Sequence, residues 1–182
     1  MAQGLIARLA LAGLASVAAP AVALAQDVIY GADVGPTDIA VACFERRYTK
    51  SHLSAHPQQN VVRMTALVYR LPGTPETVLN MTVRFREGQE DQQIPIVCRT
   101  GSGGLSCNVE CDGGAFSVTA RDRNAVLVDL GNGIGGCDAG EPSFGADDKT
   151  FRLDRVDMAA CSDLIWDDER RNAVLKAGGL NR

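Results

Sequence analysis

The chain has no surplus of basic residues: its 182 residues carry 18 Lys and Arg against 22 Asp and Glu, a net charge of −4. Binding to a nucleic-acid backbone without sequence preference depends on clustered basic side chains, so the charge balance argues against a nucleic-acid partner. Strong compositional bias is absent as well. With 46% hydrophobic and 22% charged residues, the composition is not that of collagen, a coiled coil or a disordered tail, and the length fits one domain.

Long apolar runs are also scarce, and the one at the N terminus has the parts of a secretory signal. Arg8 precedes an apolar stretch over residues 9–19, and residues 23–25 (Ala-Leu-Ala) supply the small side chains of a cleavage site. The stretch lacks the roughly 20 strongly apolar residues of a membrane span. The sequence therefore predicts a signal peptide over residues 1–25, cleavage after Ala25, no membrane span, and a periplasmic or secreted product.

The predicted compartment determines the expected bonding state of the cysteines. All six lie after the signal, at Cys43, Cys98, Cys107, Cys111, Cys137 and Cys161. An even number in an oxidising compartment predicts three disulfides. Zinc is the alternative, because Cys107 and Cys111 have a ligand-like spacing, but no second pair or nearby histidine completes a set of four ligands.

From residue 61 onward, apolar and polar residues alternate with the period of half-buried strands. A hairpin that reverses inside residues 71–76 (Leu-Pro-Gly-Thr-Pro-Glu) matches each apolar residue with an apolar partner, and its Pro-Gly pair is a type II turn signal. The predicted pairs are Val62–Phe85, Met64–Val83, Ala66–Met81 and Val68–Leu79.

The same matching adds four more strands, with turns at residues 89–90, 102–103, 112–113 and 122–124. Its predicted apolar pairs are Phe85–Ile94, Val83–Ile96, Met81–Cys98, Cys98–Cys107, Cys107–Val118, Val109–Phe116, Cys111–Gly114, Ala120–Val126, Val118–Val128 and Phe116–Leu130. Cys98 and Cys107 fall on a non-hydrogen-bonded rung, where facing side chains are closest, so a disulfide is expected there. Cys111–Cys137 and Cys43–Cys161 complete one of 15 possible connectivities.

The predicted fold is all-β, an antiparallel meander of about eight strands stapled by disulfides. A sheet with one apolar face must bury it, either as a closed or nearly closed barrel or as a sandwich. We favour the barrel because a meander closes through short turns. If a second layer covers the apolar face instead, residues 39–48 and the strand 150–156 are its candidates. The β domain spans residues 26–163, and residues 164–182 form a helical tail that is marginal on its own because its apolar side is thin.

Two groups of residues could carry chemistry. His52 and His56 would share one face of a helix and could bind a metal or act as a general base, but Pro57 limits that helix, and a turn with two partly exposed histidines is the alternative. The acidic loop from Asp138 to Asp148 offers carboxylates of the type that bind calcium, with solvated surface charge as the alternative. No motif identifies a catalytic residue, a cofactor or a metal site.

A third candidate is a basic stripe on the polar face of the first hairpin. The predicted register places Arg63 opposite Arg84, with Arg86 on the same face. Like charges that face each other across a sheet are mildly destabilising, so the stripe could hold an anionic partner. The alternative is that neighbouring carboxylates neutralise it.

Two segments, His-Leu-Ser-Ala-His-Pro-Gln-Gln-Asn-Val (residues 52–61) and Gly-Leu-Ser-Cys-Asn-Val-Glu-Cys-Asp-Gly-Gly-Ala-Phe (residues 104–116), resemble those of small exported bacterial proteins with no assigned activity. The resemblance implies export and a cysteine-stapled β domain. It transfers no catalytic residue.

Three functions fit these features. The first is a non-enzymatic exported domain that binds a protein or an envelope component through its sheet face or loops. The second is a hydrolase-type enzyme that uses scattered carboxylates with His52 and His56. The third is a carrier of a small ligand, which requires an unfilled barrel interior. The sequence makes no prediction of oligomeric state.

Overall fold

The structure is a computed structural model, which describes residues 25–74, 76–94, 96–101, 103–110, 112–131, 133–135 and 144–180. These residues form an antiparallel sheet of nine strands that curls into a nearly closed barrel. The strands are β1 (Ala40–Arg47), β2 (Val61–Arg70), β3 (Thr77–Phe85), β4 (Gln92–Ile94), β5 (Ile96–Gly101), β6 (Gly104–Val109), β7 (Ala115–Asp122), β8 (Ala125–Asp129) and β9 (Thr150–Arg155). The helices are α1 (Ala25–Tyr30), α2 (Lys50–Ala55), a 3-10 helix (Met158–Leu164) and α3 (Asp168–Ala177).

The strands follow the order β4-β3-β2-β1-β9-β8-β7-β6-β5. β1 lies between β2 and β9, and so connects the first hairpin to the later meander. The two edge strands, β4 and β5, are consecutive in the chain. The two ends of the sheet therefore come close to each other in sequence, as expected for a nearly closed barrel.

The all-β prediction and the preference for a barrel are confirmed, and the first hairpin pairs largely as expected. Met64–Val83, Ala66–Met81 and Val68–Leu79 are ladder partners. Its turn has Gly73 at φ +71°, and the N–H of Thr74 donates to the carbonyl oxygen of Leu71 at 3.4 Å, as a type II turn requires.

The pair Val62–Phe85 is wrong. Phe85 pairs with Val61, and the register shifts between Val61 and Arg63, which leaves an extra residue on β2 as in a β-bulge. Asp148 explains the shift, because its carboxylate accepts the N–H of Val61 and holds that residue in the core.

Two further registers are wrong by an even number of residues, which keeps every apolar face unchanged. Met81 pairs with Ile94 instead of Cys98. The reason is that only the short strand β4 pairs with β3, whereas the next strand, β5, which contains Cys98, pairs with β6. Cys107 pairs with Phe116 instead of Val118. The reason is a longer turn, closed by the bond from the N–H of Val109 to the carbonyl oxygen of Gly114.

The last hairpin keeps the predicted pairs Ala120–Val126 and Val118–Val128. Its turn is shorter than the expected three-residue loop, because Asp122 pairs directly with Ala125. The extra residue lies inside β7, where the register shifts between Ala120 and Asp122.

Large apolar side chains fill the barrel interior. Phe44, Met64, Met81 and Leu153 are completely buried and belong to one core with residues from every strand except β5, whose Ile96 and Cys98 pack against it. α1 adds Ile29 and Tyr30 to the same core. The interior is therefore packed with the chain's own side chains.

A second core lies on the outer face of β1 and β2, under the 3-10 helix and α3. Its buried members are Cys43, Leu67, Tyr69, Met158, Cys161, Leu164, Ile165, Val174 and Leu175. The sequence predicted a marginal helical tail, but α3 buries Val174 and Leu175 here, and Asp167 caps its first turn by accepting the N–H groups of Glu169 and Arg170. Tertiary packing therefore supplies the stability that the short helix lacks.

Candidate functional site

The basic stripe is neutralised by carboxylates on both sides. Arg63 contacts Glu45 at 2.6 Å and Asp91 at 3.0 Å, and the Nε of Arg84 lies 2.8 Å from Asp91. Burial opposes ionisation of Glu45, but Arg47 and Arg63 more than offset it and lower the pKa of that carboxyl below its ordinary value. Arg63 and Arg84 face each other as predicted, yet their charge is directed at these two acids.

Arg86 has a structural role instead. Its Nε donates to the carbonyl oxygen of Gln59, and its Nη2 donates to the carbonyl oxygens of Leu53 and His56 at 2.6 and 2.9 Å. The guanidinium therefore satisfies carbonyl groups at the end of α2, which no intrahelical partner would satisfy.

His52 and His56 stack on each other instead of converging on a third polar group. Their ring centroids are 4.4 Å apart, and His52 also stacks on Tyr48 at 4.6 Å. The Nε2 of His52 lies 2.9 Å from the amide oxygen of Gln59, whose own nitrogen donates to the carbonyl oxygen of Val61. The partner that orients His52 is therefore an amide, and not the carboxylate that a hydrolase-type site would use.

The described part of the acidic loop is tied to the start of β2. The Oδ2 of Asp148 accepts the N–H groups of Asn60 and Gly145 at 2.8 Å and that of Val61 at 3.2 Å. Burial raises the pKa of Asp148 above its ordinary value, although these backbone donors act in the opposite direction. Since hydrogen-bond donors occupy this oxygen, Asp148 serves as a clasp. Asp138 lies outside the described residues.

Metal ligands do not gather elsewhere in the described ranges, where no three His, Cys, Asp or Glu side chains come close enough to hold an ion. The longest α-helix there is α3, with 10 residues, and none is long and apolar enough to cross a membrane.

Two of the three expected disulfides are present. Cys98 is joined to Cys107 across β5 and β6, with Cα atoms 4.1 Å apart. Cys43 is joined to Cys161 at 5.9 Å between Cα atoms, which fastens the 3-10 helix to β1. The third predicted pair, Cys111–Cys137, lies outside the described residues.

β3 and β5 face each other across a part of the barrel wall that we call the seam. β4 pairs only with residues 81–83 of β3, and β5 pairs with β6 on its other side. Within the described ranges no ladder joins β3 to β5. A cleft of about 590 Å³ lies between them, lined by residues 76–79 and 96–100.

The outer rim of the seam carries an exposed apolar side chain. Val97 on β5 is 52% exposed, more than either of the other exposed large apolar residues, Val28 and Trp166. Sequence periodicity missed the seam because the alternation of Ile94 and Ile96 continues across residue 95. The proline at position 95 of the sequence was the available signal, since proline cannot donate a ladder hydrogen bond.

Comparison with family models, with curated proteins and with solved structures gives no match to this chain.

Proposed function

We propose that the chain is an exported, non-enzymatic β domain that binds a protein partner at the seam. The observation that carries this proposal is the open cleft between β3 and β5, with the exposed Val97 at its rim. Isolated surface apolar residues are common, but here the apolar side chain lies beside two strand edges that no ladder joins in the described part of the chain, and strand edges without a ladder are sites where other chains can bind.

The other candidate groups support this choice because each already has a structural task. Glu45 and Asp91 neutralise Arg63 and Arg84, and Asp148 clasps the start of β2. The packed interior argues against a carrier of small ligands. At the seam, by contrast, two described strand edges face each other without a ladder.

Export is the second part of the proposal. The signal-like residues 1–25 and the resemblance to small exported bacterial proteins support it, and so do two disulfides in a small β domain, which persist in oxidising compartments. Intact mass of the protein from the cell envelope or medium tests it. We expect a chain that begins at residue 26 with no free thiol, and a full-length chain with reactive thiols would contradict export.

A photo-crosslinking residue tests the binding site. We expect a residue of this kind at position 97 to give a discrete protein adduct in the producing cells. The matched control is position 119, because Thr119 is exposed on the outer face of β7, away from the seam. The same adducts at both positions, or none at position 97, would contradict a partner at the seam.

A further inference from the structure

We infer that the seam is a latch: β5 closes onto β3 in the register that β4 already has, and the partner binds only while the latch is open. The second half of this inference rests on the proposed function, whereas the first half concerns the chain alone. Cα atoms of β3 and β5 lie within 8 Å of each other, although no ladder joins the two strands in the described part of the chain. Facing Cα atoms in a ladder are about 4.5 to 5.5 Å apart, so a short movement of β5 closes the seam.

The register of closure follows from the ladder between β3 and β4. Met81 pairs with Ile94, and Val83 pairs with Gln92. In an antiparallel ladder, each step back along one strand is matched by one step forward along the other. The same register, continued past residue 95, gives the closing pairs Leu79–Ile96, Val78–Val97, Thr77–Cys98 and Glu76–Arg99.

The apolar side chains of the closing pairs match on both faces of the wall. Leu79 belongs to the barrel core and Ile96 packs against that core, so this pair lies on the inner face. Val78 packs against the second core, on the outer face, and closure places it opposite Val97. The 52% exposed side chain of Val97 would then lose part of its contact with water, which favours closure.

The pair farthest from β4 is electrostatic. Glu76 and Arg99 are both exposed, and closure places their opposite charges across the seam. Opposite charges on facing strands stabilise a sheet, and like charges destabilise it. A register shifted by two residues would place Arg99 opposite Val78, or Val97 opposite Glu76, so the side chains favour one register only.

The main-chain groups have the phase that this register needs. Facing Cα atoms are about 4.5 Å apart on a non-hydrogen-bonded rung and about 5.5 Å apart on a hydrogen-bonded one, and those of Cys98 and Cys107 are 4.1 Å apart. Cys98 therefore directs its N–H and C=O groups away from β6 and into the seam, and so does Ile96. Position 95 of the closed ladder then falls on a rung without hydrogen bonds, which suits a proline because it has no N–H to donate.

Closure competes with the partner for the same groups. In the closed state Val97 contacts Val78, and the main-chain groups of Ile96 and Cys98 bond to β3, so another chain has access to neither. A partner at the seam must replace these contacts. Its apparent affinity is then the intrinsic affinity reduced by the fraction of molecules that are open, which makes the latch an autoinhibitory contact.

A pair of introduced cysteines tests the register. Val78 and Val97 would face each other on a non-hydrogen-bonded rung, the geometry in which Cys98 and Cys107 are joined. We expect Val78→Cys combined with Val97→Cys to form a disulfide between positions 78 and 97 in oxidised glutathione, detected by intact mass and peptide mapping. The matched control is Val78→Cys combined with Arg99→Cys, which is out of register by two residues and should stay reduced.

A charge exchange tests the latch without a covalent link. Arg99→Glu places a second carboxylate opposite Glu76, and we expect it to speed amide hydrogen exchange at Ile96 and Cys98 about fivefold. Glu76→Arg combined with Arg99→Glu keeps the net charge and reverses the pair, and it should restore the original rates. The amide of Val97, which is directed toward β6, serves as the internal reference. This measurement decides the question if the cysteine variants do not fold.

A photo-crosslinking residue at position 100 connects the latch to the partner. Thr100 is exposed and lines the cleft beside the closing pairs. In extracts of the producing cells, we expect its protein adduct to disappear when positions 78 and 97 are joined by the disulfide. The adduct should persist in the out-of-register control.

Two results would overturn the latch itself: equal oxidation of the two cysteine pairs, or amide exchange that Arg99→Glu leaves unchanged. An adduct that persists when positions 78 and 97 are joined would overturn the control of the partner by the latch. The absence of any adduct at positions 97 and 100 would contradict the proposed function instead. The cysteine and exchange experiments would still show whether the seam closes, so the two proposals fail separately.

Discussion

The two halves of the barrel wall differ in what lies over their outer face. The covered half consists of β1, β2 and β3, where Leu67 and Tyr69 are buried under the 3-10 helix and α3. The bare half consists of β5 to β8, where the outer residues include the exposed Ser106, Asn108 and Thr119. Part of the covered half is thus core on both faces, whereas the outer face of the bare half carries exposed polar side chains.

This difference between the two halves explains where the alternation of apolar and polar residues predicts the structure correctly. In the bare half the outer face meets water, so strict alternation identifies β6, β7 and β8 and the Cys98–Cys107 pair. In β2, residues 66–69 are all buried, so alternation reveals only one of its two buried faces. The second core was therefore missed, although its apolar residues are visible in the sequence.

The largest expected effect on stability is the loss of a disulfide, and it should differ between the two bonds. Replacing Cys43 and Cys161 with Ala removes a link across 118 residues, and replacing Cys98 and Cys107 removes one across 9. Loop-closure entropy predicts losses of about 5 and about 2.5 kcal/mol in the free energy of unfolding. Urea unfolding of both double variants measures them. A larger loss of stability on removing Cys98–Cys107 than on removing Cys43–Cys161 would contradict this prediction.

A matched pair of core truncations comes next. Leu67→Ala lies on the outer face of the covered half and is fully buried, whereas Leu127→Ala lies on the outer face of the bare half and is half-buried. We expect the first to lower the free energy of unfolding by about 3 kcal/mol and the second by about 1 kcal/mol. Equal losses would show that the helices add no packing to the wall.

A smaller effect is expected from Glu45, which pairs with Arg63 on β2. Its folded pKa is lowered, so the stability that it contributes is present above the ordinary glutamate pKa and is lost as the pH falls through the folded value. Glu45→Gln should cost about 1 kcal/mol at neutral pH, and the cost should shrink as the pH is lowered below the ordinary glutamate pKa. Glu76→Gln, an exposed position, controls for the loss of one charge, and a cost that does not depend on pH would contradict this assignment.

The smallest effect is expected at the rim of the seam. Val97→Thr keeps a β-branched side chain on the exposed outer face of β5, and we expect a change within about 0.5 kcal/mol in the free energy of unfolding. Thermal unfolding measures it. A loss above 2 kcal/mol would show that Val97 is part of the packed wall, which would remove the main support for a docking role.

The seam itself was not predictable from periodicity. Alternation reports which face of a strand is buried, but it does not report which neighbour the strand pairs with. Register errors of two residues, as at Cys107, keep the buried faces and are equally invisible. The stacked His52 and His56 depend on the side-chain directions at the short α2, and the clasp of Asp148 depends on contacts between residues 88 positions apart, which no local pattern encodes.

The position of β1 has a consequence for biogenesis. Cys43 emerges first during synthesis, but its disulfide partner Cys161 and its second neighbouring strand, β9, emerge last. Four other cysteines come between them in the sequence. A growing chain that oxidises each thiol in order of appearance would pair Cys43 wrongly, so we expect this protein to require a disulfide isomerase for efficient maturation.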